Sequence, residues 1–255
     1  KEYLDSLVKK YETEDFIKDD PVQFPHRFDI LQDIEISGFI SSALAYGRRD
    51  AFIEKLKYLH KVLGNHPYEF CMNYNPKKDF KFFENFIYRF NKGEDISLLV
   101  ISLQDFYKRN SSMKDFCENS YEENNSIKYV ITKLTDILNE GKQSAGFSYL
   151  IVSPKLHSPC KRINLFFRWM VRKSDVDFGL WRKINKKDLI IPLDTHVAKI
   201  SRQLGLVERN SNDWRTAEII TDSLKQLDWS DPVKYDFALF GLGIEQNSLS
   251  KLQLV

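Results

Sequence analysis

Apolar residues recur along most of this chain at the three- and four-residue steps of an α-helix. The segment 33–46, "DIEISGFISSALAY", carries Ile36, Phe39, Ile40 and Ala43 at that spacing, and Gly47 with Arg48 and Arg49 closes it. "AFIEKLKYLHKVLG" repeats the pattern with Phe52, Leu56, Leu59 and Leu63 and stops at Gly64. "ISLLVISLQDFY" and "SIKYVITKLTDILNEG" follow in the same way. Strand-like alternation is scarce, Asn-Gly and Asp-Gly turns are absent, and no fixed-period repeat shows, so the pattern predicts an all-α fold. "NYNPKKD" (73–79) and "SPKLHSP" (153–159) read as loops.

The second of these loops leads into a helix whose start carries a candidate. Ser158 suits an N-cap and Pro159 the first helical position, after which Ile163, Phe166, Phe167, Met170 and Val171 form one apolar face. Lys161 then falls in the first turn, where the positive end of the helix dipole disfavours an ammonium. A neutral amine is a nucleophile and an ammonium is not, so a lysine placed there invites a catalytic account beside the plain one of a surface side chain. Farther on, Leu189–Leu193 reads as interior, and residues 195–204 as an amphipathic helix with Val197, Ile200 and Leu204 on one face and Gly205 at its stop. Asp194 stands at the joint as an N-cap. A carboxylate held by helix amides stays ionised and rigid, which also suits it to stabilise positive charge developing on a substrate. Two more helix starts follow, at Ser211 or Asn212 and at Asp231–Pro232, with Phe237 and Phe240 packing inward from the second.

Composition changes this picture little. In 255 residues, 42% hydrophobic and 29% charged positions are those of a globular chain. No stretch approaches the roughly 18 apolar residues of a membrane helix, and "KEYLDSLVKKYETEDF" has no signal-peptide core, so a cytoplasmic protein with no membrane partner is expected. Cys71, Cys117 and Cys160 are widely separated and read as structural thiols rather than as a disulfide framework or a metal site. The formal net charge is only +2, but its distribution is uneven. Between Lys155 and Arg202 there are twelve Lys or Arg against four Asp or Glu, a local basic excess surrounding Asp194.

"IIPLDTHVAKISRQLGL", followed by a short helix and "DPVKYDFALFGLGI", resembles the helix-hairpin-helix DNA glycosylase superfamily typified by endonuclease III, in which a "VDTH" stretch carries the catalytic aspartate. "DIEISGFISSALAYGRRDAFIEKL" looks like that family's early helix ending in a DNA-facing turn. The resemblance covers most of residues 25–245, and "LDTHV" is its specific part. It implies a two-lobed helical fold in one domain spanning 1–255, with lobes of about 30–145 and of 1–29 plus 146–255. Two departures stand out. The family's Leu-Pro-Gly-Val-Gly hairpin is replaced by "VSPKLHSPCKRINLFFRWMV", without the glycines that let backbone amides approach a DNA phosphate. Lys161 also precedes Asp194 by 194 − 161 = 33 residues, a spacing similar to that of the archaeal 8-oxoguanine DNA glycosylase branch. Bacterial proteins bearing "CKR…RWMVRK" and "IPLDTH" look closer still, and for those the resemblance implies the fold and does not extend to an activity.

What the resemblance implies is a monomeric base-excision glycosylase with AP lyase activity, acting on double-stranded DNA with a damaged base such as 8-oxoguanine. Lys161 would attack the sugar and Asp194 would stabilise the charge. Lys155, Arg162, Arg48 and Arg49 are the expected phosphate contacts. No cysteine follows Cys160, so no iron–sulfur cluster is expected there, and neither a metal nor another cofactor is needed. Phe147, Tyr149, Phe167 and Trp169 could stack on a flipped base, although core packing is the ordinary role of each, and His157 and His196 are expected to serve structure. The alternative is a DNA-binding module of the same fold without catalysis.

Overall fold

A computed structural model of the chain describes residues 1–252, with side chains described through residue 243. Residues 253–255 of the expected domain lie outside the described residues. The α-helices run in order α1 (Glu2–Tyr11), α2 (Glu14–Ile17), α3 (Leu31–Ala43), α4 (Arg49–Leu63), α5 (Pro67–Asn73), α6 (Pro76–Asp79), α7 (Gly93–Arg109), α8 (Met113–Asn124) and α9 (Ile127–Asn139). They continue with α10 (Ala145–Leu150), α11 (Lys161–Val171), α12 (Thr195–Gln203), α13 (Trp214–Lys225) and α14 (Tyr235–Leu252). The chain is thus mostly helical. One small hairpin interrupts the pattern, β1 (Ile87–Tyr88) paired antiparallel to β2 (Asn91–Lys92) in the register Tyr88↔Asn91.

Two compact units are formed: Lys1–Lys18 with Pro154–Val255, and Asp19–Ser153. Their limits, 18/19 and 153/154, fall 11 and 8 residues from the expected 29/30 and 145/146, for identifiable reasons. The short 3-10 turns Pro21–Gln23 and Pro25–Arg27 pack on α3 and so belong with it. At the other limit α10 is tied to α7, because its N-cap Ser144 donates to Asp95, which itself accepts from the Lys92 amide.

The unit 19–153 is built around α3, which is buried on every side from Asp33 to Ala43 rather than on one face. Its two acids are accommodated by other helices' starts. Glu35 accepts from the Met113 and Lys114 amides that open α8 and from the Tyr107 hydroxyl, and Asp33 accepts from the Tyr68 amide in the first turn of α5. A buried carboxylate is tolerable only when so satisfied, and helix N-termini supply both the donors and a favourable dipole. Ser112, Ser126 and Ser144 cap α8, α9 and α10 through their hydroxyls.

The other unit has a core made by α1, α12, α13 and α14, with Leu4, Leu7, Val197, Ile200, Ala217, Ile220, Leu224 and Leu239 among its buried members. The run 189–193 does enter this core, and the Ile191 amide donates to the Thr221 hydroxyl. Helix α12 ends as Gly205 requires. The Leu206 amide bonds Ser201 and the Gly205 amide bonds Arg202 with Gly205 at φ +70°, which is a Schellman ending. That ending corrects the place of Leu204. It sits at the C-cap and is 42% exposed, and Leu206 beyond the turn packs on the core instead.

Two expected helix starts shift. Asp213, not Ser211 or Asn212, caps α13, accepting from the Thr216 amide at 2.9 Å. That amide, with further bonds from Ser211, Thr216 and Arg209, holds the Asp213 carboxyl down to about 2. Asp231 makes no side-chain cap, because its oxygens are drawn to Arg172 and Lys186, and Pro232–Lys234 forms a 3-10 turn before α14 begins. Phe237 is buried and meets the Phe16 ring edge-on, with Phe240 beside the same ring.

Candidate functional site

Two helix N-termini meet at the candidate site. Helix α11 begins at Lys161 itself, later than Ser158 and Pro159 suggested, because the chain turns through a left-handed Cys160 (φ 47°) before the first helical bond forms. Ser158 accepts from the Cys160 amide and Asn164 donates to the Pro159 carbonyl, so these residues brace the turn rather than cap the helix. Helix α12 begins after Asp194, whose Oδ1 accepts from the His196 and Val197 amides, each at 2.9 Å. Its Oδ2 lies 3.8 Å from Lys161 Nζ. The two oxygens therefore have separate duties, one fixing the helix and the other facing the amine. Both side chains are partly open to solvent, at 29% for Lys161 and 20% for Asp194.

Directly behind this pair lies a buried ionic network that the sequence reading did not find. Arg168 bonds Asp236 and Asp177, and Arg172 bonds Asp177, Asp231 and Glu12. Both guanidiniums lie against the Phe237 ring, Arg168 at 4.2 Å from its centroid. Burial pushes the Asp236 carboxyl up to about 6. Arg168 opposes that shift, the neighbouring Asp194 charge adds to it, and Lys161 opposes it again. Burial likewise raises Asp177. Asp236 thus couples the network electrostatically to the Lys161–Asp194 pair. A signal existed in the sequence: Arg168 and Arg172 stand four apart within "RINLFFRWMVRK", flanked by residues of the apolar face. Helix α11 is in fact buried all round from Ile163 to Val171, and so cannot turn those arginines to solvent.

The remaining expected residues are distributed differently. Arg162 is half-buried beside Lys161 in the first turn of α11, and Lys155 is exposed in the preceding turn. Arg48 and Arg49 lie in the unit 19–153, at the start of α4, where Arg48 is exposed and pairs with Asp50. Phe147, Phe167 and Trp169 are fully buried and belong to packing, whereas Tyr149 is 38% exposed. His157 and Cys160 both adopt left-handed φ, at 57° and 47°. The turn before α11 therefore uses backbone geometry that glycine adopts most readily, without a glycine in it. All three cysteines are free and buried, and burial raises the Cys71 and Cys117 thiols, which leaves them inert. A cavity of about 460 Å³ in the unit 19–153, lined by residues such as His66, Phe70 and Phe82, includes none of the expected site residues. Among the described residues no cluster of His, Cys, Asp and Glu is arranged for a metal, and no helix is long and apolar enough to cross a membrane.

Residues 20–245 match the family described as "Protein of unknown function (DUF2400)", and the chain belongs to that family. No curated protein and no solved structure matches it.

Proposed function

We propose that the protein is a DNA glycosylase with AP lyase activity that excises an oxidised purine such as 8-oxoguanine from double-stranded DNA. The observation that carries this reading is the approach of Lys161 Nζ to Asp194 Oδ2, 3.8 Å apart, with Oδ1 already committed to the start of α12. A nucleophile and a carboxylate within reach of one reacting atom, each fixed by a helix start, is what displacement at a sugar carbon requires.

The damaged nucleotide is turned out of the duplex. Lys161 gives up a proton to water, so that Asp194 stays ionised, and its neutral nitrogen forms a bond to C1′ of the sugar. The C1′–N bond to the base breaks, its electron pair leaving with the base, which takes a proton from water. Positive charge that develops on the sugar during this exchange is stabilised by the Asp194 carboxylate. Opening of the sugar ring then gives a Schiff base between Lys161 and C1′. Loss of a C2′ proton expels the 3′ phosphate by β-elimination and nicks the strand. Lys155 and Arg162, flanking the lysine in sequence, would pair with backbone phosphates, and Arg48 and Arg49 are candidates for phosphate contacts made by the unit 19–153 on its own.

Borohydride reduction tests this directly. A duplex containing 8-oxoguanine and another with an abasic site should each give a covalent complex, an undamaged duplex none, and Lys161→Gln should abolish both adducts. Excision that persists in Lys161→Gln would sink the reading. A second reading, a DNA-binding module of the same fold without catalysis, is favoured by the glycine-free turn at 157–160. It predicts salt-dependent binding with no adduct on any duplex.

A further inference from the structure

The hairpin of β1 and β2 carries its least economical residues at its tip. The register Tyr88↔Asn91 leaves Arg89 and Phe90 as a two-residue loop, and Arg89 takes a left-handed φ of 52° at a position such hairpins give to glycine. Ile87 and Phe90 are 64% and 59% exposed, and the Arg89 guanidinium lies 5.4 Å from the centre of the Phe90 ring. Selection for stability alone would favour neither an arginine at that angle nor two large apolar side chains in water, and strain of this kind gathers at functional positions.

Beneath the tip the rings and hydrogen bonds form one connected set. Phe90 meets the half-exposed Tyr149 ring at 5.2 Å, Tyr149 meets Tyr46 at 5.0 Å, and Tyr46 meets Tyr88 at 4.9 Å. The Tyr46 hydroxyl bonds the Tyr88 carbonyl and the fully buried Asn91, which in turn donates to the Gly146 carbonyl at 2.7 Å. The Arg89 side chain lies over Gly47, where an added Cβ would come within 3.1 Å of it, and Gly47 leads directly into Arg48 and Arg49. Arg89 thus borders an aromatic surface, two further arginines follow Gly47 in the chain, and the acid next to them, Asp50, is held by Arg48.

We infer that the Arg89–Phe90 hairpin tip, with Tyr149, is a docking surface for unpaired bases of DNA. Flat rings offered to solvent stack on any base, guanidiniums meet the phosphates between bases, and a preformed platform loses little entropy on binding. The inference rests on the proposed DNA-acting role only for its choice of DNA.

The test measures anisotropy of a short labelled oligo-dT and of a fully paired duplex with the full chain. The wild type should bind oligo-dT, Phe90→Ala should weaken that binding roughly five- to hundredfold, and Phe90→Trp should retain it. Arg89→Gly should also bind more weakly while melting at the same or a higher temperature, a combination that a purely structural arginine would not produce. Unchanged binding in Phe90→Ala overturns the inference. So does a wild type that binds no DNA but self-associates through Phe90 in sedimentation, since the tip would then be a contact between copies. Borohydride trapping on the same variants separates this inference from the proposed activity. Trapping without a Phe90 effect removes the docking surface and keeps the activity, and a Phe90 effect without trapping does the reverse.

Discussion

Asp194 holds the start of α12 with one carboxylate oxygen and faces Lys161 with the other, 3.8 Å away. Because the duties are divided between oxygens, substitutions can separate them. Asn keeps an amide-accepting oxygen and is as good an N-cap as Asp, so Asp194→Asn should lose well under 1 kcal/mol of stability. It removes the negative charge, however, and should reduce base excision by about 100-fold or more. Asp194→Ala loses both functions and should unfold more easily by about 1 kcal/mol. Urea unfolding read beside a single-turnover excision assay checks the pair; an Asp194→Asn protein that excises at the wild-type rate would leave Asp194 a cap and nothing more.

That division explains why this part of the site was legible in sequence. A helix start is written in local chemistry: an apolar run, then Asp, then a 3.6-residue periodicity, and α12 begins where those signals coincide. Lys161 was found by the same local logic, even though Cys160 in a left-handed turn moved the first residue of α11 past Pro159. The network behind them was not legible. Locally, Arg168 and Arg172 read as charged residues of an apolar helix, which are ordinarily turned outward. Burial of the whole helix is a tertiary property, and the four-residue spacing of Arg168 and Arg172 within apolar neighbours hints at a shared partner without reporting which acids supply it. Asp231 fails as a cap for that reason, since Arg172 competes for its oxygens from 59 residues away.

The turn before α11 makes a prediction about strain. His157 is exposed and holds φ 57°, while its carbonyl accepts from the Trp214 amide at 3.1 Å. A left-handed L-residue costs about 1–2 kcal/mol, against roughly 0.5–1 kcal/mol of extra backbone entropy for glycine. His157→Gly should therefore leave the melting temperature unchanged or raise it slightly. His157→Val, branched at Cβ and intolerant of positive φ, should lower stability by more than about 1 kcal/mol. Equal melting of the two variants would mean that the turn does not hold this conformation in solution.

His60 should make the unit 19–153 sensitive to acid. It is buried against Phe24, with rings stacked at 4.4 Å, its Nδ1 2.9 Å from the Leu56 carbonyl and its Nε2 2.8 Å from the Ser37 hydroxyl. That arrangement suits the neutral ring with its proton on Nδ1, accepting from Ser37 at Nε2. Burial lowers its pKa from 6.5 to about 4. Between those values the unfolded chain binds a proton that the folded one refuses, so this contribution to stability is present above pH 6.5 and is lost as pH falls toward 4. The slope should approach about 1.4 kcal/mol per pH unit within that window. Urea midpoints from pH 7 to 4, compared between wild type and His60→Gln, isolate the effect; an imidazole that titrates near 6.5 by NMR would contradict it.

The strongest stability prediction concerns Arg172. Its guanidinium is buried with Asp177, Asp231 and Glu12 as partners, and although burial opposes its charge, those carboxylates hold the arginine firmly protonated. Arg168 also meets Asp177 and Lys186 also meets Asp231, but three buried acids cannot simply lose the cation they share. Removing one partner of a buried ion pair costs about 3–5 kcal/mol, because the remaining charges stay desolvated. Arg172→Ala should fall in or above that range, enough to unfold a domain of ordinary stability. Arg172→Lys keeps the charge but has only one nitrogen where Nε and Nη1 now serve different carboxylates, so it should recover part of the loss and not all of it. Because Asp236 links the network to Lys161 and Asp194, Arg172→Lys should also shift the pH profile of excision while the protein remains folded. Chemical denaturation of both variants checks the ranking, and an Arg172→Ala protein within about 1 kcal/mol of wild type would mean that the network is solvated rather than buried.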